Sequence, residues 1–250
     1  MHIVTAIMGT SSSSLHQRLN AAAGCTTCGG GGGTETAAVT AAVHGASVLA
    51  AAAAGGGTPL VSLPASTVFA VVLAEANAKR ALHGSPPLTL ALGAPEKVAM
   101  ANAATIATAF QTSGCKTLSH TSNTGTGPDM PKIGQNIYAV TLGGNSYDTD
   151  SFGELLAAGV DMWYDEINGS PQSPGPYFNS VGTPFTTTFD SARGHFTQLV
   201  WKSSTHVSFG VATATCGAAP WLIFVANFSA PGNVITPSSM YAQNVLPPLA

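Results

Sequence analysis

The segment 194-GHFTQLVWKSSTH-206 concentrates the chemistry of this sequence. The chain has seven histidines. His195 heads a dense run of Phe, Thr, Gln, Leu, Val and Trp, while most of the chain is Ala, Gly, Ser and Thr. An imidazole there can ligate a metal, move a proton, or only hydrogen-bond within a polar core. The motifs that would specify hydrolysis are absent: the sequence has neither H-E-x-x-H nor a G-x-S-x-G nucleophile elbow. Cys25-x-x-Cys28 has metal or redox spacing but lacks a second pair. Asn168-Gly-Ser and Asn227-Phe-Ser fit the N-glycosylation sequon, and the second falls in an apolar strand that would hide it. His83 reads as a helix end and His206 as a strand start. Trp163, Trp201 and Trp221 read as core, and Glu96 and Glu154 as helix N-terminal acids.

Three helical segments and two strands must position these residues. In 66-STVFAVVLAEANAKRALHG-84 the apolar residues recur at helical intervals up to a His-Gly stop. Pro86-Pro87 then forces an extended link. The segment 95-PEKVAMANAATIATAFQ-111 opens with Pro and Glu, which favour a helix N-terminus. The segment 151-SFGELLAAGVDMWYDEI-167 carries a capping-box pattern at Ser151 and Glu154. Residues 168–192 read as loop. Alternation in 205-THVSFGVATATC-216 predicts a strand, and 221-WLIFVANF-228 is apolar on both faces, as a central strand is. Helices first and strands later predict an α+β fold, a short antiparallel sheet covered by helices.

Composition narrows the function. Charged residues are 8% of the 250, about a third of the usual share, and the net charge is −3. No basic stripe is present, which excludes nucleic acid as the expected partner. The low charge fits a secreted protein with a polar, Ser/Thr/Asn-rich exterior. Residues 1–65 are low in large apolar side chains, with a serine run, a glycine run and an Ala/Gly tract. They read as a disordered extension. The uncharged stretch 37-TAAVTAAVHGASVLAAAA-54 offers an alternative, a displaced signal or anchor that would touch membrane. Residues 66–250 form the expected domain.

Five segments, in order, resemble the CAP superfamily of cysteine-rich secretory proteins, antigen 5 and pathogenesis-related class 1 proteins. They are 80-RALHGSPPL-88, 134-GQNI-137, 163-WYDEI-167, 194-GHFTQLVWKSS-204 and 225-VANFSAPGNV-234. The match runs from about residue 66 to the C-terminus, and 244-NVLPP-248 is similar to the Golgi-associated, cysteine-poor branch. The resemblance implies a three-layer α-β-α sandwich. It also implies a cleft with two His and two acidic residues, which fall here on His120, Gln135, Glu166 and His195. Gln135 stands where a carboxylate is common, and Ala76-Asn77 where the family often has His-Asn. The resemblance further implies a disulfide between Cys115 and Cys216. A second family bridge is lost as a unit, since Phe209 and Ala226 occupy both of its positions.

The function so implied is a non-enzymatic module of the extracellular space or secretory pathway, with a defence- or signalling-type role. Its expected ligand is a lipid such as a sterol or fatty acid. His120 and His195 are the expected ligands for zinc or another divalent cation, bound weakly, with Glu166 orienting a ligand or bound water. Gln135 cannot supply the missing charge, and its amide can instead tie Glu166 in place. Two other classes stand beside this one. A hydrolase or protease would use His195 with Glu166 and need a nucleophile, for which Ser119 and Ser191 are the near candidates. A membrane-associating scaffold would rest on the Golgi-like tail alone.

Overall fold

The computed structural model describes residues 48–49, 63–121, 132–142, 149–184, 186, 188–217, 219–237 and 239–249. Cys25, Cys28 and the low-complexity runs before residue 47 lie outside the described residues. Within the expected extension, strands β1 (Val48–Leu49) and β2 (Leu63–Pro64) pair antiparallel just before the domain. The domain then runs α1 (Ala65–Ala81), β3 (Thr89–Leu90), α2 (Ala94–Thr112), β4 (Gly134–Thr141) and α3 (Thr149–Asp165). A 3-10 turn at Glu166–Asn168 and α4 (Gly194–Leu199) follow. The chain ends with β5 (His206–Cys216), β6 (Ala219–Ser229) and α5 (Met240–Asn244).

The sheet order is β3-β5-β6-β4. Strands β4, β6 and β5 are antiparallel, and the two residues of β3 add parallel to β5 at the edge. Side chains alternate across β6 with period two. Leu222, Phe224, Ala226 and Phe228 meet Val68, Phe69 and Val72 of α1 and Phe152, Leu155, Leu156, Val160 and Trp163 of α3. Ile223 and Val225 meet Ala103, Ile106, Ala107 and Phe110 of α2 on the other side. This is the α-β-α sandwich, with the sheet as its middle layer. Each large side chain sealed in these two layers contributes about 1.5–3 kcal/mol relative to exposure.

The helix ends show where local signals were overruled. α1 stops at Ala81, where His83-Gly84 predicts it, and Gly84 takes φ 61°. α3 begins at Thr149, so Ser151 lies inside the helix and does not cap it. The α4 helix, which the sequence reading of 194-GHFTQLVWKSSTH-206 does not foresee, carries His195 in its first turn. Six residues have no helical period to detect, and the helix exists because Phe196 and Leu199 are fully buried against its neighbours.

Cys115, just past α2, and Cys216, at the end of β5, are joined by a disulfide with a Cα–Cα distance of 6.0 Å. The former second bridge site is filled by packing, with Phe209 and Ala226 buried opposite one another. Arg80 is fully buried. It donates to the carbonyls of Pro86, Leu199, Trp201 and Ser204 at 2.8–2.9 Å, tying the end of α1 to the chain after α4. The tail 244-NVLPP-248 closes the same end of the domain. Ser203 N donates to Asn244 Oδ1 at 2.9 Å, and His83 Nδ1 donates to the Leu246 carbonyl at 2.6 Å.

Candidate functional site

His195 owes its position to a carboxylate at the end of a different helix. α3 ends at Asp165, and the tighter 3-10 turn swings Glu166 toward the first turn of α4. A helix start leaves backbone N–H groups without partners. Here Glu166 Oε2 accepts from His195 N at 2.9 Å and from Phe196 N at 3.1 Å. Its Oε1 accepts from His195 Nδ1–H at 2.6 Å. One carboxylate therefore caps α4 and sets the imidazole tautomer. The ring is backed by Trp163 at 6.3 Å between centroids, which stacks in turn on Phe224 at 5.2 Å. Trp163 is core, as its sequence setting predicts, and also a wall of the site.

The other half of the site hangs on β4 and β6. Gln135 and Asn227 are register partners. Gln135 Nε2 donates to Asn227 Oδ1 at 3.2 Å and to Thr121 Oγ1 at 2.9 Å. Gln135 Oε1 accepts from His120 Nδ1–H at 3.1 Å and from Thr121 N at 3.2 Å. Gln135 thus holds His120. The expectation that it ties Glu166 is corrected, because all four of its hydrogen bonds go to residues 120, 121 and 227. Asn136 points to the opposite face of β4 by alternation and donates to the His195 carbonyl at 2.9 Å.

The two imidazoles come together with ring centroids 5.9 Å apart. They line a cleft of about 430 Å³ with Gln135, Glu166, Ser191 and Asn233. All four cleft residues expected from the sequence therefore share one cavity. His120 lies at the open rim, while His195 sits deeper. Crowding by the surrounding protein, with a smaller push from the His195 charge, lowers the His120 pKa below the usual histidine value, and the Gln135 hydrogen bond opposes this. With both Nδ1 atoms committed to partners among the described residues, Nε2 is the remaining nitrogen of each ring. His195 Nε2 is buried and has no hydrogen-bond partner. Among the described residues no three His, Cys, Asp or Glu side chains converge as a metal set.

Several residues that build the site are not singled out in the sequence, although two of them lie inside the quoted motifs. Gln198 is one: its side chain lies between two backbone segments, accepting from Gly232 N at 2.7 Å. A Cβ at Gly134 or Gly232 would collide with that side chain. The GQN, GHFTQ and PGN segments are thus parts of one interlock, which accounts for their joint presence. Asn233 accepts from Thr197 Oγ1 at 2.6 Å and donates to the Gly194 carbonyl at 2.9 Å, bracing α4 from outside. Arg193 is fully buried and donates to the carbonyls of Ser173 and Gly175, anchoring the long loop before the site. Ser191 reaches the cleft, but neither it nor Ser119 hydrogen-bonds to either imidazole.

The family description "CAP: Cysteine-rich secretory protein family" matches residues 73–228. Over 183 residues the chain is 35% identical to Repressed by EFG1 protein 1 of Candida albicans, covering 71% of this chain and 53% of that protein. It is 31% identical over 178 residues to Golgi-associated plant pathogenesis-related protein 1 of Homo sapiens, covering 71% of this chain and 91% of that one. Secreted protein RBT4 of Candida albicans is 30% identical over 189 residues, which cover 73% of this chain and 42% of RBT4. The chain thus spans about half the length, or less, of the two Candida relatives.

Proposed function

The chain belongs to the CAP, or cysteine-rich secretory protein, family, and from that membership we propose a non-enzymatic binding module of the secretory pathway or extracellular space. Relatives named as secreted and as Golgi-associated support the location. Its ligands are an amphipathic lipid and, in the cleft, a divalent cation held by His120 and His195. The observation that carries the binding reading is the buried, unpartnered Nε2 of His195, a residue that lines one cleft with His120. Glu166 fixes the His195 tautomer and Gln135 that of His120, the usual outer support of imidazole ligands. A bound cation would supply charge to draw an anionic headgroup or carboxylate. Two protein ligands without a third account for weak binding.

The lipid half is supported by an apolar groove of about 260 Å³ between the start of α2 and the sheet, lined by Ala91, Pro95, Val98, Ile133 and Val207. No helix among the described residues is long and apolar enough to cross a membrane. A hydrolase would take the 2.6 Å His195–Glu166 pair as an oriented base, but a serine nucleophile must lie within hydrogen-bond reach of it, and Ser191 makes no such bond. Titration of the purified protein with a fluorescent sterol and a fluorescent fatty acid tests the lipid reading. Saturable binding of either is expected, and linear, unsaturable signals with both would sink it.

A further inference from the structure

We propose that Asn168 carries an N-linked glycan, and that the second sequon, at Asn227, carries none in the folded protein. The proposal rests on the secretory-pathway reading, since that compartment holds the glycosyl donor. Both sites satisfy Asn-x-Ser, and the sequence separates them only by the apolar strand expected around the second.

The two asparagines have opposite settings. Asn168 ends the 3-10 turn after α3 and is exposed, and its side-chain amide makes none of the hydrogen bonds recorded in the fold. The chain leaves it through Gly169 at φ 92°, where a Cβ would run into the carbonyls of Ser173 and Gly175. The middle residue of this sequon must therefore be glycine for the fold, independently of any sugar. The loop beyond is held in place, with Ser170 and Ser173 exchanging backbone hydrogen bonds and Arg193 donating to Ser173 and Gly175. The acceptor thus stands at a fixed, outward-facing corner. Asn227 sits in the middle of the sheet, between Gln135 on β4 and Ser208 on β5, and is 4% exposed. Its Oδ1 accepts from Gln135, so a sugar on its amide would displace the pair that holds His120.

In the transfer, the Asn168 amide nitrogen forms a bond to the anomeric carbon of a lipid-linked oligosaccharide. The anomeric carbon–oxygen bond breaks, and the lipid pyrophosphate departs as the amide loses one proton. No oxidant or reductant is involved. Transfer to the unfolded chain makes no distinction between solvent-facing and buried positions. Folding does: a chain glycosylated at Asn227 cannot close β4 on β6. The glycan also has a place relative to the cleft, two residues after Glu166 and beside a hollow lined by Glu166, Gly169, Ser170, Pro171 and His195. It would shield one rim of the binding site without filling it.

The test is expression of the full chain in eukaryotic cells behind an added cleavable leader, beside the natural protein isolated from its own cells. Mass is read before and after an enzyme that removes N-linked glycans and leaves Asp at the acceptor. Variants are Asn168→Gln, Ser170→Ala and Ser229→Ala, the last removing the second sequon while keeping the Asn227 amide. With the leader processed, one glycan is expected, lost in Asn168→Gln and Ser170→Ala and kept in Ser229→Ala. A processed but unglycosylated chain, or a glycan lost only in Ser229→Ala, overturns the proposal. If the leader form is glycosylated at Asn168 while the natural protein, isolated from its own cells, carries no N-linked glycan, the location reading falls and the acceptor assignment stands.

Discussion

Gln135→Glu is the perturbation that reads the cleft most directly. The substitution keeps the side-chain length and adds one negative charge beside His120. The Oε1 atom continues to accept from His120 Nδ1–H and Thr121 N, now as a carboxylate. The new second oxygen replaces an amide that donated to Thr121 Oγ1 and to Asn227 Oδ1. The threonine hydroxyl rotates and donates instead. Asn227 would face the carboxylate oxygen to oxygen at about 3.2 Å, but its own Nδ2 is buried and unpartnered. Flipping the Asn227 amide presents that donor to the carboxylate, so the fold absorbs the change. A carboxylate on the outer nitrogen of a metal-binding imidazole changes affinity by about 10–100-fold, or about 1.4–2.8 kcal/mol. Calorimetric zinc titration near neutral pH should show that gain in Gln135→Glu and no binding in His195→Ala. An NMR titration of His120 should show its pKa raised by the new anion. If the His120 pKa rises while zinc affinity stays equal to wild type, the cation does not sit on His120, and the cleft assignment is wrong.

Three further outcomes follow from buried features. Replacing Cys115 and Cys216 by Ala releases a bridge of sequence separation 101; loop-closure entropy sets the loss at up to about 4.7 kcal/mol, read as a lower urea midpoint. Arg80→Met leaves the carbonyls of Pro86, Leu199, Trp201 and Ser204 without their donor and should cost about 3–5 kcal/mol by the same measurement; a loss under about 1 kcal/mol would show that water replaces the guanidinium. Burial lowers the pKa of His83, and loss of solvation against the cleft wall lowers that of the rim residue His120, so both bind protons more readily unfolded than folded. Their contribution is fully present above the ordinary histidine pKa of about 6.5 and is lost as pH falls through the depressed folded values. Urea midpoints at pH 7.5 and 5 should therefore differ in wild type and differ less in His83→Gln, and an unchanged gap in the variant would remove His83 from the account.

The sequence by itself determined the layers and the cleft members. α1 and β5 announce themselves because their apolar residues repeat at the period each element imposes, as in Val68, Val72 and Ala76 or Val207, Phe209 and Val211, while α2 is marked by its Pro-Glu start and β6 by an apolar run on both faces. Gln135, Glu166 and His195 were legible through their motifs, and His120 and the Cys115–Cys216 bridge through the resemblance those motifs established. Register and packing lay beyond local pattern. Nothing near Gln135 says that its partner is Asn227, because the two are 92 residues apart and meet only through strand pairing. The sequence suggests that Gln135 ties Glu166, and the strand register places its side chain against His120 instead. No local spacing marks Arg80 and Arg193 for burial, yet both are fully buried and donate to backbone carbonyls of other segments. Glu166 caps a helix that begins 28 residues later, which no capping rule based on neighbouring residues detects. Periodic elements are written in local spacing, whereas the site is a set of long-range hydrogen bonds, and only the closed tertiary structure selects which of the possible partners meet.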